Sequence, residues 1–123
     1  MTQTFTVPCR LAGMNEYQQA CRGHWAQGAK LKKQQQALVE TAILVAGVKP
    51  FTAPVTVQFR WVEPNRRRDF DNICAASKWV LDAMVARGVI PDDSDRWVKS
   101  VSHERGLDRK APRVEVTVTE VTT

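Results

Sequence analysis

The sequence lacks any long apolar run. No stretch approaches the roughly 18 residues of a membrane-spanning helix, and no apolar segment follows a basic N-terminus as in a secretory signal. Cysteine is also scarce, since only Cys9, Cys21 and Cys74 are present, with no metal-like Cys or Cys/His spacing. These absences argue against a zinc site. They predict a soluble, unprocessed intracellular protein in a reducing compartment.

Motifs for covalent catalysis and nucleotide binding are missing as well. The serines and cysteines have neither a nucleophile-elbow nor a Cys/His context, and there is no Gly-rich nucleotide motif, internal repeat or low-complexity tract. The two histidines, His24 and His103, are isolated in the sequence, so we expect surface roles for both. Covalent catalysis through Ser or Cys is therefore not expected.

What is present is a globular composition with a basic excess. The 123 residues are 43% hydrophobic and 25% charged, which suits one domain, residues 1–123, with a real core. The net charge is +5 and the pI is about 9.5, and this balance favours polyanionic partners. Much of the excess lies in three groups: Arg66-Arg67-Arg68, Lys30-Leu31-Lys32-Lys33, and Arg105, Arg109, Lys110 and Arg113.

Hydrophobic periodicity predicts the order strand, helices, strand, helix, strand, strand. The expected helices are residues 15–22, residues 30–46 ending at Gly47, and a third from Asp71 or Asn72 to Arg87. The expected strands are residues 4–7, residues 55–62, residues 97–103 with imperfect alternation, and one through Val114, Val116 and Val118. This order predicts an α+β fold, a single mixed sheet with helices packed on it.

The most informative segment, which we call the Arg/Asp segment, is Asn65-Arg66-Arg67-Arg68-Asp69-Phe70-Asp71-Asn72, and Asp92-Asp93 follow it later in the chain. Arginine binds phosphate bidentately. Clustered carboxylates repel phosphate unless a divalent cation, held by hard oxygen ligands, neutralises them. The combination predicts a site that binds a phosphodiester backbone and cuts it with Mg²⁺.

The acids and arginines of this segment each admit two interpretations. In an extended loop Asp69 and Asp71 project to the same side, where both could reach one cation together with Asp92 or Asp93. Alternatively, Asp71 caps the next helix and Asp69 pairs with an arginine. The arginines either contact phosphate or neutralise the acids.

Lys78 and Trp25 are two further candidates. Lys78 lies two helical turns after Asp71, where it could stabilise a leaving oxygen or position the scissile phosphate. A surface ion pair with Asp82 at i, i+4 is the favoured alternative. The four tryptophans are assigned to the core, and Trp25, in a glycine-flanked segment, is the best candidate for stacking on a base instead.

Taken together, the motifs resemble the RusA family of Holliday junction resolvases, small endodeoxyribonucleases largely of phage or prophage origin. The resemblance covers most of the chain. Its most specific part is the Asn65–Asn72 segment with the downstream acids. The other matching segments are Leu11-Ala12-Gly13-Met14-Asn15-Glu16-Tyr17, Gly28-Ala29-Lys30, Lys78-Trp79-Val80-Leu81-Asp82-Ala83 and Gly88-Val89-Ile90-Pro91-Asp92-Asp93.

The resemblance implies a homodimer that binds four-way DNA junctions and cuts two strands symmetrically with Mg²⁺ or Mn²⁺. It assigns catalysis and metal binding to Asp69, Asp71 and Asp93, and a further catalytic role to Lys78. The interval from Asn72 to Lys78 is longer than in the family pattern, and Asp92 and Asp95 lie close to Asp93 in the sequence.

The expected partner is junction DNA, with no membrane and no small-molecule cofactor, in the cytoplasm of a bacterial or phage-infected cell. The expected DNA contacts are six basic residues: Arg66, Arg67, Arg68, Lys30, Lys32 and Lys33. One alternative function is a non-catalytic, architectural junction-binding protein. Another is a protein-binding module in which the Arg/Asp segment is a structural ion-pair network. The clustered acids argue against both, because acids beside phosphate are unfavourable without a metal.

Overall fold

One four-stranded sheet with a helical layer on one face makes up the computed structural model, which describes residues 1–121. In chain order the elements are β1 (Thr2–Val7), α1 (Met14–Arg22), α2 (Gln27–Ala46), β2 (Val55–Glu63), α3 (Phe70–Cys74), α4 (Ser77–Ala86), β3 (Val98–Leu107) and β4 (Arg113–Glu120). The predicted α+β class is confirmed. None of the helices in this part of the chain is both long and apolar enough to cross a membrane.

The strand order is β1-β4-β2-β3. Strand β4 pairs antiparallel with β1 and with β2, whereas β2 and β3 are parallel. A parallel pair needs a crossover connection, and α3 with α4 supplies it. The Arg/Asp segment therefore begins where β2 ends and leads directly into the crossover.

The core lies between the sheet and the helices. Alternate residues of β2 and β4 point into it, as a half-buried sheet requires, and α2 and α4 close it from the other side. Its members include Val55, Val57, Phe59, Trp61, Val114, Val116 and Val118 from the sheet and Val39, Ile43, Val80 and Met84 from the helices. Burial of each large apolar side chain stabilises the fold by roughly 1.5–3 kcal/mol.

The helix predicted after the Arg/Asp segment is wrong in two respects. It is two helices, α3 and α4, with Ala75 and Ala76 between them. Its N-cap residue is Asp69, in an extended conformation and without a side-chain cap hydrogen bond, rather than Asp71 or Asn72. The apolar positions Ile73 and Ala76 are buried on both sides of the break, so their periodicity gave no sign of it.

Candidate active site

A buried carboxylate anchors the Arg/Asp loop, which we define as residues 64–69, to the end of the sheet. Glu63, the last residue of β2, is only 3% exposed. Its carboxylate accepts hydrogen bonds from Arg68 Nε and Nη2 at 2.8 and 2.7 Å. Arg10 Nη2 donates to the same carboxylate at 2.8 Å. This bidentate, charge-assisted pairing fixes both ends of the loop.

Arg68 also binds the segment around the start of α1. Its Nη1 donates to Glu16 Oε1 at 2.7 Å and to the Leu11 carbonyl at 2.8 Å. Burial alone would lower the pKa of Arg68, but the hydrogen bonds to Glu63 and Glu16 outweigh it and raise that pKa. Arg68 is therefore a permanently charged internal link between β2 and α1.

Arg66 and Arg67 differ from Arg68 because both are exposed. Within residues 1–121 no acidic side chain forms an ion pair with either of them. The side chain of Asn65 accepts a hydrogen bond from the backbone N–H of Arg67 at 3.0 Å, which shapes the turn. The loop thus presents two guanidinium groups to solvent while the third holds it in place.

Asp69 and Asp71 lie on either side of Phe70 at the start of α3, and both are exposed. The residues that flank Asp69 are both held by Arg105 of β3. The Arg105 guanidinium donates to the backbone carbonyl of Arg68, and its Cζ lies 5.9 Å from the centre of the Phe70 ring. The backbone that carries Asp69 is therefore fixed from both sides.

Asn72 fastens α1 to the other side of the carboxylate pair. Its buried side chain accepts a hydrogen bond from the Asn15 N–H at 2.7 Å and donates to Glu16 Oε2 at 3.3 Å. A Cβ atom at Gly13 would collide with the Asn72 carbonyl, so only glycine permits this close approach. The start of α1 and the start of α3 consequently form one rigid unit.

The downstream acids lie in an exposed loop before β3. Asp92 accepts hydrogen bonds from the Ser94 hydroxyl and N–H, which lower its pKa. Asp93 and Asp95 are exposed neighbours. Within residues 1–121 there is no group of three His, Cys, Asp or Glu side chains that could hold a metal ion. The structure therefore does not gather Asp69, Asp71 and Asp93 into one cluster.

The predicted lysines lie on two neighbouring helices. Lys78 Nζ is 3.4 Å from Asp82 Oδ2, which is the i, i+4 ion pair favoured from the sequence. Lys32 Nζ approaches the same carboxylate at 3.7 Å. Lys30 and Lys33, also on α2, are exposed. Lys30 and Lys33 are thus open to solvent, and the other two lysines share one acid.

The surface role expected for His103 is wrong. The ring is half-buried, accepts a hydrogen bond from Trp61 Nε1 at 3.0 Å and stacks 5.4 Å from the Phe59 ring. Burial lowers the pKa of His103, which favours the neutral imidazole. Isolation in the sequence did not reveal this, because the partners lie on a different strand.

The sequence also did not single out Glu63, Glu16, Asn72 or Arg105 as parts of the site. One signal was available for Glu63. The alternation of β2 places Glu63 on the same inward face as Phe59 and Trp61, and a carboxylate on a core-facing position requires a buried cation. The contacts of the other three residues, Glu16, Asn72 and Arg105, join elements that are distant in the sequence.

We expect the fold to lose stability in acid because of Glu63. Burial raises the pKa of this carboxyl, but the hydrogen bonds from Arg68 and Arg10 outweigh it and hold the pKa below its ordinary value of 4.5. A depressed pKa stabilises the fold above pH 4.5, and that stabilisation disappears as the pH falls through the folded-state pKa. The urea concentration at the unfolding midpoint should change little between pH 7 and pH 5 and should fall mainly between pH 5 and pH 3. A Glu63→Gln variant should show a smaller drop between pH 5 and pH 3, and an unchanged drop would contradict this role.

A family model described as Endodeoxyribonuclease RusA matches residues 5–119, which includes the Arg/Asp loop, the acidic loop and the whole crossover. No curated protein matches the chain.

Proposed function

Since the chain belongs to the endodeoxyribonuclease RusA family, which implies a DNA hydrolase that resolves Holliday junctions, we propose that it cuts four-way junctions by metal-assisted hydrolysis with paired, symmetric nicks. One observation supports this most directly. The exposed pair Asp69 and Asp71 adjoins the exposed Arg66 and Arg67 on a loop that the buried Glu63–Arg68 pair holds in place. Phosphate binding and phosphate cleavage would thus take place on one ordered segment.

Asp69 and Asp71 are the proposed ligands of Mg²⁺, with Mn²⁺ as the alternative. Both are exposed carboxylates at one helix start, and Mg²⁺ commonly takes one or two protein carboxylates together with waters and substrate phosphate. The pair therefore fits the ion. Asp93 is the proposed third ligand, and it would have to approach the pair when the metal binds, because the three acids are not gathered within residues 1–121. When bound, the metal would supply an activated water and stabilise the leaving 3′-oxygen.

The basic residues are proposed to hold the DNA backbone. Arg66 and Arg67 would bind phosphates next to the cut, while Arg68 would hold the loop in position through its buried pair with Glu63. Lys30, Lys32 and Lys33 would extend the contact along α2. Lys78 is proposed to position the scissile phosphate, which requires it to leave Asp82; an exposed i, i+4 pair is weak enough to permit this. Phosphate contacts of this kind would favour recognition of junction shape over base sequence.

A homodimer is the proposed assembly. A four-way junction offers two equivalent strands, and a two-fold dimer would place one site on each. The proposed location is the cytoplasm of a bacterial or phage-infected cell, where the three free thiols, Cys9, Cys21 and Cys74, would stay reduced.

The test is cleavage of a synthetic four-way junction beside a matched linear duplex, with Mg²⁺ or with EDTA. Paired nicks near the crossover that require the metal would support the proposal. Tight junction binding without cleavage in either Mg²⁺ or Mn²⁺ would contradict it. That outcome would favour an architectural role and make the aspartates structural acids.

We expect Arg67→Ala to weaken junction binding and to reduce its dependence on salt. The loss of one phosphate contact should lower the slope of log affinity against log salt by about one. Fluorescence anisotropy across a salt series measures both quantities. Arg87→Ala is the matched control, because this exposed cation lies at the opposite end of α4 from Lys78. An unchanged slope for Arg67→Ala would mean that this side chain contacts no phosphate.

A further inference from the structure

Trp25, in the turn between α1 and α2, is far more exposed than the tryptophans Trp61 and Trp79 of the core. It is 86% exposed, whereas Trp61 and Trp79 are 2% and 4% exposed. Its ring lies 5.5 Å from that of His24, which is itself exposed. A single exposed aromatic residue is common, so the exposure gains meaning only from its surroundings.

The surroundings of Trp25 favour a nucleic acid. Residues 17–39, which span most of α1, the turn and half of α2, contain no Asp or Glu. The same stretch has four cations: Arg22, Lys30, Lys32 and Lys33. Arg22, Lys30 and Lys33 are exposed. An indole on a segment that has several cations and no acids of its own is the arrangement that binds single-stranded nucleic acid, through phosphate contacts and stacking on bases.

The turn is also joined to the candidate active site through α1. The start of α1 is bonded to Asn72, next to Asp71. The nine residues of α1 at about 1.5 Å per residue extend roughly 13 Å from there. A distance of that size corresponds to about four base-pair steps of 3.4 Å. Trp25 is therefore within reach of DNA that is bound at the aspartate pair.

We propose that Trp25 stacks on a base exposed at the crossover of the junction, a few nucleotides from the cut. At a crossover the strands change partners, so base faces become available that a continuous duplex keeps stacked. An indole gives a large flat surface for any of the four bases. The inference rests on the proposed junction-resolving function and adds a contact that distinguishes the junction from linear DNA.

The experiment compares the wild type with Trp25→Ala and Trp25→Phe on a labelled four-way junction and on a matched duplex, in EDTA to prevent cleavage. Trp25→Ala should weaken junction binding by about 5- to 150-fold, the range for loss of one base–aromatic stack. Its duplex affinity should change by less than about twofold. Trp25→Phe should recover most of the junction affinity, because a phenyl ring still stacks.

Two further measurements distinguish base stacking by Trp25 from other roles. The salt slope of Trp25→Ala should equal that of the wild type, whereas Lys33→Ala should lower it by about one. Tryptophan emission of the wild type should be quenched by the junction, and this quenching should be much smaller for Trp25→Phe.

Several outcomes would overturn the proposal. One is that Trp25→Ala binds the junction with wild-type affinity, and another is that it loses as much affinity for the duplex as for the junction. A third is that Trp25→Ala sediments differently from the wild type, which would show that a second copy of the chain covers Trp25. A wild type that binds the junction no better than the duplex would instead remove the proposed function itself, and the stacking proposal with it.

Discussion

Replacing Asp71 by Asn should abolish junction cleavage while junction binding is kept or strengthened. The change removes one carboxylate of the exposed Asp69–Asp71 pair and one negative charge beside the DNA. Asn has the same size, and within residues 1–121 the side chain of Asp71 accepts one hydrogen bond, from the adjacent Asn72 N–H at 2.9 Å, so the fold should persist. We expect cleavage to fall by at least about 10²-fold, the scale on which one electrostatic stabiliser of a transition state acts.

Single-turnover cleavage and anisotropy binding on the same junction would measure the two effects. Glu104→Gln is the matched control, since it removes one negative charge from an exposed side chain on the open face of the sheet. The control should cleave at the wild-type rate. Loss of binding together with cleavage in Asp71→Asn would instead mean that Asp71 maintains the conformation of the loop.

Replacing Arg68 by Ala should have the largest effect on stability. The change leaves the Glu63 carboxylate, whose side chain is 4% exposed, with Arg10 as its remaining cation. It also removes the link to Glu16 and to Leu11. Removal of one partner of a buried ion pair destabilises proteins by about 3–5 kcal/mol. Because Arg10 stays in place, we expect about 3 kcal/mol, which is roughly 10 °C in Tm for a domain of this size.

Urea and thermal unfolding would measure this loss. Arg66→Ala is the control from the same loop, since Arg66 is exposed. It should change stability by less than about 0.5 kcal/mol and should weaken DNA binding. Arg66→Ala is thus expected to weaken DNA binding and leave the fold stable, whereas Arg68→Ala is expected to destabilise the fold. Wild-type stability in Arg68→Ala, with a loss of DNA affinity alone, would place Arg68 among the phosphate contacts.

The linkage can be tested further with a double-mutant cycle between Glu63→Gln and Arg68→Ala. If the two side chains act as one unit, the double variant should be markedly less destabilised than the sum of the single changes. Additive losses would show that Arg68 stabilises the fold mainly through Glu16 and Leu11.

The sequence by itself determined the fold class and the positions of most elements. Alternation along β2 and β4 and the apolar period of α2 are local patterns, because each follows from which side of a strand or helix faces the core. The loop of arginines and aspartates was equally visible, since its residues are consecutive. Sequence alone also indicated the Lys78–Asp82 pair, which lies within one helix.

Only the tertiary structure decided how three consecutive arginines divide their roles. Arg68 turns inward because Glu63, Glu16 and the Leu11 carbonyl converge on it from three separate segments, and its neighbours remain exposed. Likewise, Arg105 meets the Arg/Asp loop only through the parallel pairing of β2 with β3. The break between α3 and α4 and the burial of His103 were hidden for the same physical reason. Each depends on contacts between residues far apart in the chain, and periodicity along the sequence contains no information about which distant segments meet.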